Sequence, residues 1–278
     1  MEVIQSVDDL LAWRRERAEA LDLGFVPTMG ALHEGHFSLV REAKTRHERV
    51  AVSIYVNPLQ FGPHEDYLKY PRNLEADVEG LLACGCDLVF APSPSDLQHS
   101  ADPLKVASPK LGHELCGAFR PGHFDGVLTI VLRLFRLMQP RAAFFGLKDR
   151  QQFTLIRRMA EEWFLNVDVV GLPTVREADG LAMSSRNVYL SPEERSRAVQ
   201  IPAVLKELAD QARAWPTASR VLETKGRAAL EAAGFRVDYL ECRHADDLRR
   251  SDLAAIGTVF LVAAWLGATR LIDNLVVE

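Results

Sequence analysis

Residues 24–36 read Gly-Phe-Val-Pro-Thr-Met-Gly-Ala-Leu-His-Glu-Gly-His, and this stretch decides how the chain folds. The apolar run 24–27 is typical of a buried strand, and the loop 28–32 leads from it to a candidate helix start at His33. In an open parallel sheet, the first strand ends in the crevice that binds nucleotides. The next helix points its N–H groups and the positive end of its dipole into that crevice. The stretch therefore predicts a phosphate-binding site.

His33 and His36 are the candidate phosphate donors of this stretch. Residues three positions apart share one face of a helix, so both imidazoles could hydrogen-bond one bridging oxygen as negative charge accumulates on it. Gly30 and Gly35 permit close approach of the backbone to a ligand. The alternative is an ordinary helix start with two solvated histidines. The position directly after the first strand favours the phosphate site.

The rest of the chain up to residue 173 alternates strand-like and helical segments. Short apolar runs at 50–56, 87–92, 142–146 and 167–173, the first of them β-branched, predict further buried strands. Helical patterns at 73–83, 126–138 and 149–163 lie between them. We therefore predict an α/β fold with a doubly wound, Rossmann-like parallel sheet in a first domain, 1–173.

The pattern changes after residue 173. Ser191 followed by Pro192 is typical of a helix start, and helical segments extend to about residue 214 and from 218 to 233. Three strand-like runs follow, at 235–240, 259–263 and 269–277. This pattern predicts a smaller α+β domain, 174–278.

Composition excludes several classes of protein. The chain has 278 residues, 48% hydrophobic and 26% charged, with a formal net charge of -5, as expected for a globular enzyme. Lys and Arg are dispersed, so we expect no nucleic-acid partner. No apolar run approaches the roughly 18 residues of a membrane span, and the N-terminus lacks a signal-peptide pattern. We expect a cytoplasmic protein that does not associate with membranes and whose cysteines are reduced thiols.

Asn57 and Gln60 follow the second predicted strand, where side chains face the ligand crevice. Their amides donate and accept hydrogen bonds, which suits a small substrate with hydroxyls and a carboxylate. The alternative is an Asx turn before Pro58.

The segment 146–152 follows the fourth predicted strand. Lys148 could neutralise phosphate charge, Asp149 could hold Mg²⁺ or cap a helix, and Gln152 would lie one turn into that helix. The alternative is a capped helix with a solvated lysine.

The run 183–187, Met-Ser-Ser-Arg-Asn, places two hydroxyls and a guanidinium in one turn beside the domain boundary. Such a group is a compact phosphate clamp, and a hinge beside it would allow closure over ATP. The alternative is a Ser-rich turn.

Together these motifs resemble those of the pantothenate synthetase family, in order and over nearly the whole chain. The segments that carry the resemblance are 27–36, 52–61, 120–127, 146–152 and 179–187. The run 33–36 resembles the H-x-G-H signature of the nucleotidylyltransferase superfamily, and 183–186 resembles the second loop of that superfamily. The combination is specific because five separate motifs resemble the same family.

The resemblance implies an ATP-dependent ligase that joins (R)-pantoate to β-alanine through a pantoyl adenylate and releases AMP and pyrophosphate. It also implies ATP as a substrate, Mg²⁺ as a cofactor and a homodimer. The first domain would bind nucleotide and pantoate, and the second would close over ATP.

The resemblance also assigns site residues. It makes His36 the proposed proton donor, with His33 and Lys148 as further catalytic groups. Gln60 and Gln152 would bind pantoate, with Gln60 also near β-alanine; Asn57 is a further pantoate-site candidate and Asp149 the metal candidate. The implied ATP contacts are Met29, Gly30, Ala31, Leu32, His33, Glu34, Gly35, His36, Gly146, Leu147, Lys148, Asp149, Val175, Met183, Ser184, Ser185 and Arg186.

Two positions depart from the family pattern. The family usually has Glu where this chain has Leu147 and where it has Cys116. Each replacement removes a carboxylate close to one of the motifs.

Two other functions use the same residues. A nucleotidylyltransferase that couples AMP to a phosphorylated acceptor would share the histidine pair but bind a phosphate instead of a carboxylate and an amine. A nucleotide-binding module would sense ATP without chemistry.

Overall fold

A computed structural model describes residues 1–17, 22–63, 65–97, 100 and 103–278 of the chain. Their contacts form two compact units. The first consists of Met1–Leu147 and Leu155–Pro173, and the second of Lys148–Thr154 and Thr174–Glu278.

Residues 148–154 belong to the second unit, although the sequence pattern placed them in the first domain. Hydrogen bonds explain the difference. The Nδ2 of Asn274 donates to the carbonyl of Lys148 (3.0 Å), and the Nη2 of Arg150 donates to the carbonyl of Ala245 (2.9 Å). Both partners are far along the chain, so the sequence alone gives no sign of them.

The first unit is built on a six-stranded parallel sheet in the order β1-β4-β3-β2-β5-β6. Because the order reverses between β2 and β5, their carboxyl ends flank the crevice of an open sheet. This confirms the predicted doubly wound α/β fold. The strands are β1 (Glu2–Ile4), β2 (Leu23–Thr28), β3 (Arg49–Ile54), β4 (Leu88–Phe90), β5 (Ala142–Gly146) and β6 (Asp168–Leu172).

The sequence pattern did not reveal β1. This edge strand has three residues and pairs with β4 through Val3 and Val89. Glu2 and Val3 are exposed, so no apolar run or alternation marks the strand.

The helices in this part of the chain are α1 (Val7–Arg15), α2 (Glu34–Arg46), α3 (Leu74–Ala83), α4 (Pro94–Leu97), α5 (Cys116–Phe119), α6 (His123–Met138) and α7 (Arg150–Glu162). Four of them, α2, α3, α6 and α7, follow the predicted start at His33 and the predicted segments 73–83, 126–138 and 149–163, whereas the short helices α4 and α5 were not predicted. Side-chain caps fix two of the starts: Ser6 accepts from the N–H of Asp9, and Asn73 accepts from the N–H of Ala76. Among the described residues, no helix has the length and apolar character that a membrane crossing requires.

The second unit has the predicted α+β composition. A three-stranded antiparallel sheet in the order β11-β10-β8 packs against helices around an apolar core that includes Leu205, Leu208 and Phe260. The elements are α8 (Pro192–Ala198), α9 (Gln200–Ala214), β7 (Thr217–Ala218), α10 (Ser219–Ala232), β8 (Arg236–His244), β9 (Leu253–Ala254), β10 (Thr258–Leu266) and β11 (Thr269–Val276).

A close contact within the first unit predicts the effect of one substitution. A Cβ on Gly126 of α6 would overlap the carbonyl oxygen of Leu59 and lie 2.7 Å from the nitrogen of Gln60. Gly→Ala in a helix normally stabilises it by about 0.5–1 kcal/mol, but overpacking against backbone costs about 1–3 kcal/mol. We therefore expect Gly126→Ala to lower the free energy of unfolding, measured by urea denaturation.

Gly62→Ala is the matched control, because the atoms nearest to its Cβ would belong to the flexible side chain of Glu65, at 3.7 Å. Its stability should stay within about 0.5 kcal/mol of the wild type. Equal stability of the two variants would show that α6 does not press on the turn at Leu59.

Candidate active site

The two histidines of the opening stretch cap helix α2 with their own side chains. His33 is the N-cap, and its Nδ1 accepts a hydrogen bond from the N–H of Gly35 (3.1 Å). In return, the Nδ1 of His36 accepts from the N–H of His33 (3.3 Å). The ring centroids lie 4.2 Å apart. The loop after β2 therefore holds both imidazoles in a fixed relation to each other.

These bonds determine which ring nitrogen can donate. A nitrogen that accepts a hydrogen bond carries no proton, so each neutral ring bears its hydrogen on Nε2. Two Nε2–H donors on neighbouring rings suit an anionic oxygen.

The same bonds correct one part of the expectation for the helix start. The N–H groups of His33 and Gly35 bond to the imidazoles, and that of His36 bonds to the carbonyl of His33 (2.8 Å). These N–H groups therefore do not point into the crevice as expected. Phosphate recognition at this turn can use the imidazoles and the helix dipole.

Asp77 on α3 holds the loop between β2 and α2. Its carboxylate accepts from the N–H groups of Ala31 (2.9 Å) and Leu32 (2.7 Å). Ala31 and Gly30 have left-handed backbone conformations, with φ of 51° and 80°. Asp77 is only 5% exposed, and burial raises the pKa of its carboxyl although the two amide bonds lower it.

Sequence reasoning missed Asp77, although a signal was present. Asp77 lies three residues after Leu74 and four before Leu81, which puts a carboxylate on the apolar stripe of α3. A buried carboxylate needs hydrogen-bond donors, and the loop amides supply them.

The structure brings together Asn57, Gln60 and Met29, three of the predicted site residues. Asn57 Nδ2 donates to the Oε1 of Gln60 (3.1 Å), and Gln60 Nε2 lies 3.0 Å from the Sδ of Met29. Asn57 Oδ1 also accepts from the N–H of Leu59, so the Asx turn is present as well. Asn57 therefore both forms the turn and orients the amide of Gln60.

A polar cluster that sequence reasoning did not assign supports the backbone of Gln60. Its carbonyl accepts from the Nδ1 of His123 (2.8 Å) and from Arg120 (3.3 Å). Arg120 also donates to both carboxylate oxygens of Glu65, at 2.7 and 2.5 Å. Although burial of Glu65 pushes its pKa up, the hydrogen bonds and charge of Arg120, together with His123 and the backbone of Gly62, outweigh burial, and the pKa is lowered. The sequence signal for this cluster was the motif 120–127, which resembles the family but to which no role was assigned.

In the segment after β5, Gly146 and Leu147 belong to the first unit, whereas Lys148, Asp149 and Gln152 belong to the second. Lys148 is half-buried, and its carbonyl is held by Asn274. Asp149 is exposed, at the end of the 3₁₀ turn Leu147–Asp149.

The remaining predicted residues lie on one folded loop of the second unit. The N–H of Met183 donates to the carbonyl of Val175 (3.0 Å), which aligns the two sides of the loop. Ser184 caps the 3₁₀ turn Ser185–Tyr189 by accepting from the N–H of Arg186 (3.2 Å). The Ser-rich turn is thus present, and its side chains are half-buried.

Among the described residues, no group of three or more His, Cys, Asp or Glu side chains could hold a metal ion. Asp149 offers a single exposed carboxylate. Mg²⁺ commonly keeps several waters and binds through one or two carboxylates plus substrate phosphates, so this donor set fits an ion that arrives with a nucleotide.

Comparison with known proteins identifies the family. A sequence profile described as pantoate-beta-alanine ligase matches residues 2–276. The chain belongs to this family. The pantothenate synthetase of Pseudomonas entomophila (strain L48) is 48% identical over an alignment of 278 positions that covers 99% of this chain and 97% of that protein. That of Thiobacillus denitrificans is 49% identical over an alignment of 279 positions that covers 99% of this chain and 96% of that protein.

Solved structures agree with this family. The pantothenate synthetase of Thermus thermophilus superposes with a TM-score of 0.91 at 43% identity, covering 100% of both chains. The pantoate-beta-alanine ligase of Francisella tularensis, solved with beta-gamma ATP and beta-alanine, superposes with a TM-score of 0.84 at 32% identity and covers 100% of this chain and 98% of that one. The predicted family, fold and ligase class are confirmed.

The raised pKa of Asp77 predicts how stability depends on pH. A carboxyl whose pKa is raised by folding stabilises most below the unfolded value of about 3.9, and this contribution is lost as pH rises through the folded pKa. Asn cannot titrate. Relative to the wild type, Asp77→Asn should therefore become more stable as pH rises from the unfolded value of about 3.9 through the folded pKa of Asp77. Urea denaturation across this range measures the trend.

Glu75→Gln, an exposed carboxylate on the same helix, is the control. If wild-type stability instead increased relative to Asp77→Asn over this range, burial would not be the dominant influence on Asp77.

Proposed function

We propose that this chain condenses (R)-pantoate with β-alanine in two steps, with ATP as the second substrate of the first step. The observation that carries the proposal is the pair of imidazoles locked by backbone N–H groups at the carboxyl end of β2. Family membership supports the substrates, and the hydrogen-bonded amides of Asn57 and Gln60 in the same unit suit a hydroxy acid.

In the first step, a carboxylate oxygen of pantoate attacks the α-phosphorus of ATP. The bond from that phosphorus to the bridging oxygen breaks, and pyrophosphate leaves with the electron pair. Negative charge grows on the departing oxygen, and the Nε2–H groups of His33 and His36 can donate to it. The amide of Gln60, oriented by Asn57, would hold pantoate for in-line attack.

In the second step, the neutral amine of β-alanine attacks the carbonyl carbon of pantoyl adenylate. The bond to the phosphate oxygen breaks, AMP leaves, and the nitrogen loses a proton to give the amide. No covalent bond to the protein is needed. Positioning and charge stabilisation account for the acceleration.

The second unit would supply further contacts to ATP. We assign phosphate contacts to Lys148 and to the hydroxyls and guanidinium of 183–186, and a backbone contact to Val175. Mg²⁺, with Asp149 as its protein ligand, would shield phosphate charge. Gln152 is assigned to pantoate.

We also propose a homodimer in the cytoplasm. Family resemblance suggests the dimer. The described cysteines, Cys84, Cys86, Cys116 and Cys242, form no disulfide, which suits a reducing compartment.

One assay tests the proposed function. Purified protein is incubated with ATP and Mg²⁺, and AMP is measured with pantoate and β-alanine added singly and together. AMP release that requires both supports the proposal. Pyrophosphate exchange that requires a phosphorylated acceptor would favour a nucleotidylyltransferase, and ATP binding without turnover would favour a sensing module.

Two substitutions of His33 separate its capping role from its chemical role. Asn is a good N-cap, so His33→Asn should keep the stability of the wild type but lower the rate of adenylate formation by about 10²- to 10³-fold. His33→Ala should lose the same activity and also about 1 kcal/mol of stability. Single-turnover assays and urea denaturation measure the two effects. Near-native activity of His33→Asn would remove His33 from the chemistry.

A further inference from the structure

The last strand, β11, carries two consecutive buried polar residues, Asp273 and Asn274. Side chains alternate between the faces of a strand, so Asp273 shares a face with Leu271 and Leu275, which pack on the apolar core of the second unit. A carboxylate on such a face is costly unless it is paired and hydrogen-bonded.

Arg176 provides that pairing. Its Nη1 and Nη2 donate to the two oxygens of Asp273, at 2.7 and 3.0 Å, in a bidentate arrangement. Nη1 also donates to the carbonyl of Gly180 (3.0 Å), and Nη2 to that of Asn274 (3.4 Å). The backbone N–H of Asn274 also donates to the carboxylate of Asp273 (2.8 Å). The guanidinium is therefore fixed in position and in orientation.

The pair anchors the loop that carries the clamp 183–186. Arg176 faces Ala182 across an antiparallel bridge, and the N–H of Met183 donates to the carbonyl of Val175. Holding Arg176 thus sets the position of Val175 and of the backbone that leads into the clamp.

Asn274 holds the other segment. Its Nδ2 donates to the carbonyl of Lys148 at 3.0 Å, which fixes the backbone from which the lysine side chain projects. Neighbouring residues of one strand therefore bind two segments that lie 97 and 126 positions away in the sequence.

Stability alone does not require this arrangement, because apolar residues often replace a buried ion pair without loss. A bidentate pair restricts geometry more than an apolar contact does. We propose that Asp273 and Asn274 are positioning residues that align Lys148 and the clamp 183–186 for ATP. The proposal rests on the proposed function, which assigns those two segments to ATP.

Three variants test the proposal: Asp273→Asn, Asn274→Ala and Arg176→Lys. Lysine keeps the charge of Arg176 but loses the bidentate geometry. Each variant should raise the KM for ATP by about 10- to 100-fold and lower kcat, because displaced contacts weaken both binding and alignment. The KM for β-alanine should not change. Steady-state kinetics well below the thermal midpoint of each variant provide the measurement.

Asp238→Asn is the matched control. Asp238 lies in the same sheet with a side chain 5% exposed, and it accepts from the Nε of Arg270 (2.8 Å) and from Trp265 (3.1 Å). Its substitution also breaks a buried ion pair, so it should lower the thermal midpoint but leave the KM for ATP unchanged. Equal KM values for ATP in Asp273→Asn and Asp238→Asn would overturn the positioning role.

Two outcomes need a second measurement. If Asp273→Asn does not fold, the KM values for ATP of Asn274→Ala and Arg176→Lys test the proposal. A native KM for ATP in both variants overturns it. If the wild type releases no AMP with pantoate and β-alanine, the proposed function is wrong. Equilibrium dialysis with ATP then tests the positioning role by itself. Weaker ATP binding by the three variants than by Asp238→Asn supports the role, and equal ATP binding overturns it.

Discussion

The parallel pairing of β2 with β3 on one side and β5 on the other is the constraint on which the first unit depends. This pairing places β2 where the strand order reverses, so the loop after β2 opens into the crevice instead of being covered by a neighbouring connection. The position of the two histidines follows from that choice of strand. Asp77 is needed for the same reason, because a loop at this edge cannot pair its amides with another strand.

Much of the fold could be predicted from local patterns. Runs such as 50–56 and 142–146 are apolar because strands covered on both faces need no polar side, and these runs appeared as β3 and β5. The strand β1 could not be predicted, since it is short and half-exposed at the sheet edge. The start of α6 was placed three residues too late, because the left-handed Gly122 that precedes it, with φ of 78°, does not alter the apolar periodicity.

Candidate site residues could be named from the sequence where polar groups are concentrated in short motifs. His33, His36, Asn57 and Gln60 each carry their own signal, and Met29 followed from the family resemblance. Supporting residues such as Asp77, His123 and Asp273 could not be predicted in the same way. Their partners are 45 to 97 positions away, and a single sequence does not show which distant groups meet. For Asp77 the visible sign is a carboxylate on the apolar stripe of a helix, which is a reason to search for a partner but does not identify it.

The reciprocal capping by His33 and His36 couples protonation to backbone structure. A proton that reached either Nδ1 would meet an N–H hydrogen already directed at that nitrogen, so one of the two would have to move away. Acid would therefore loosen the first turn of α2 at the same time as it charged the rings. The order of the first turn of α2 and the charge on His33 and His36 are therefore linked.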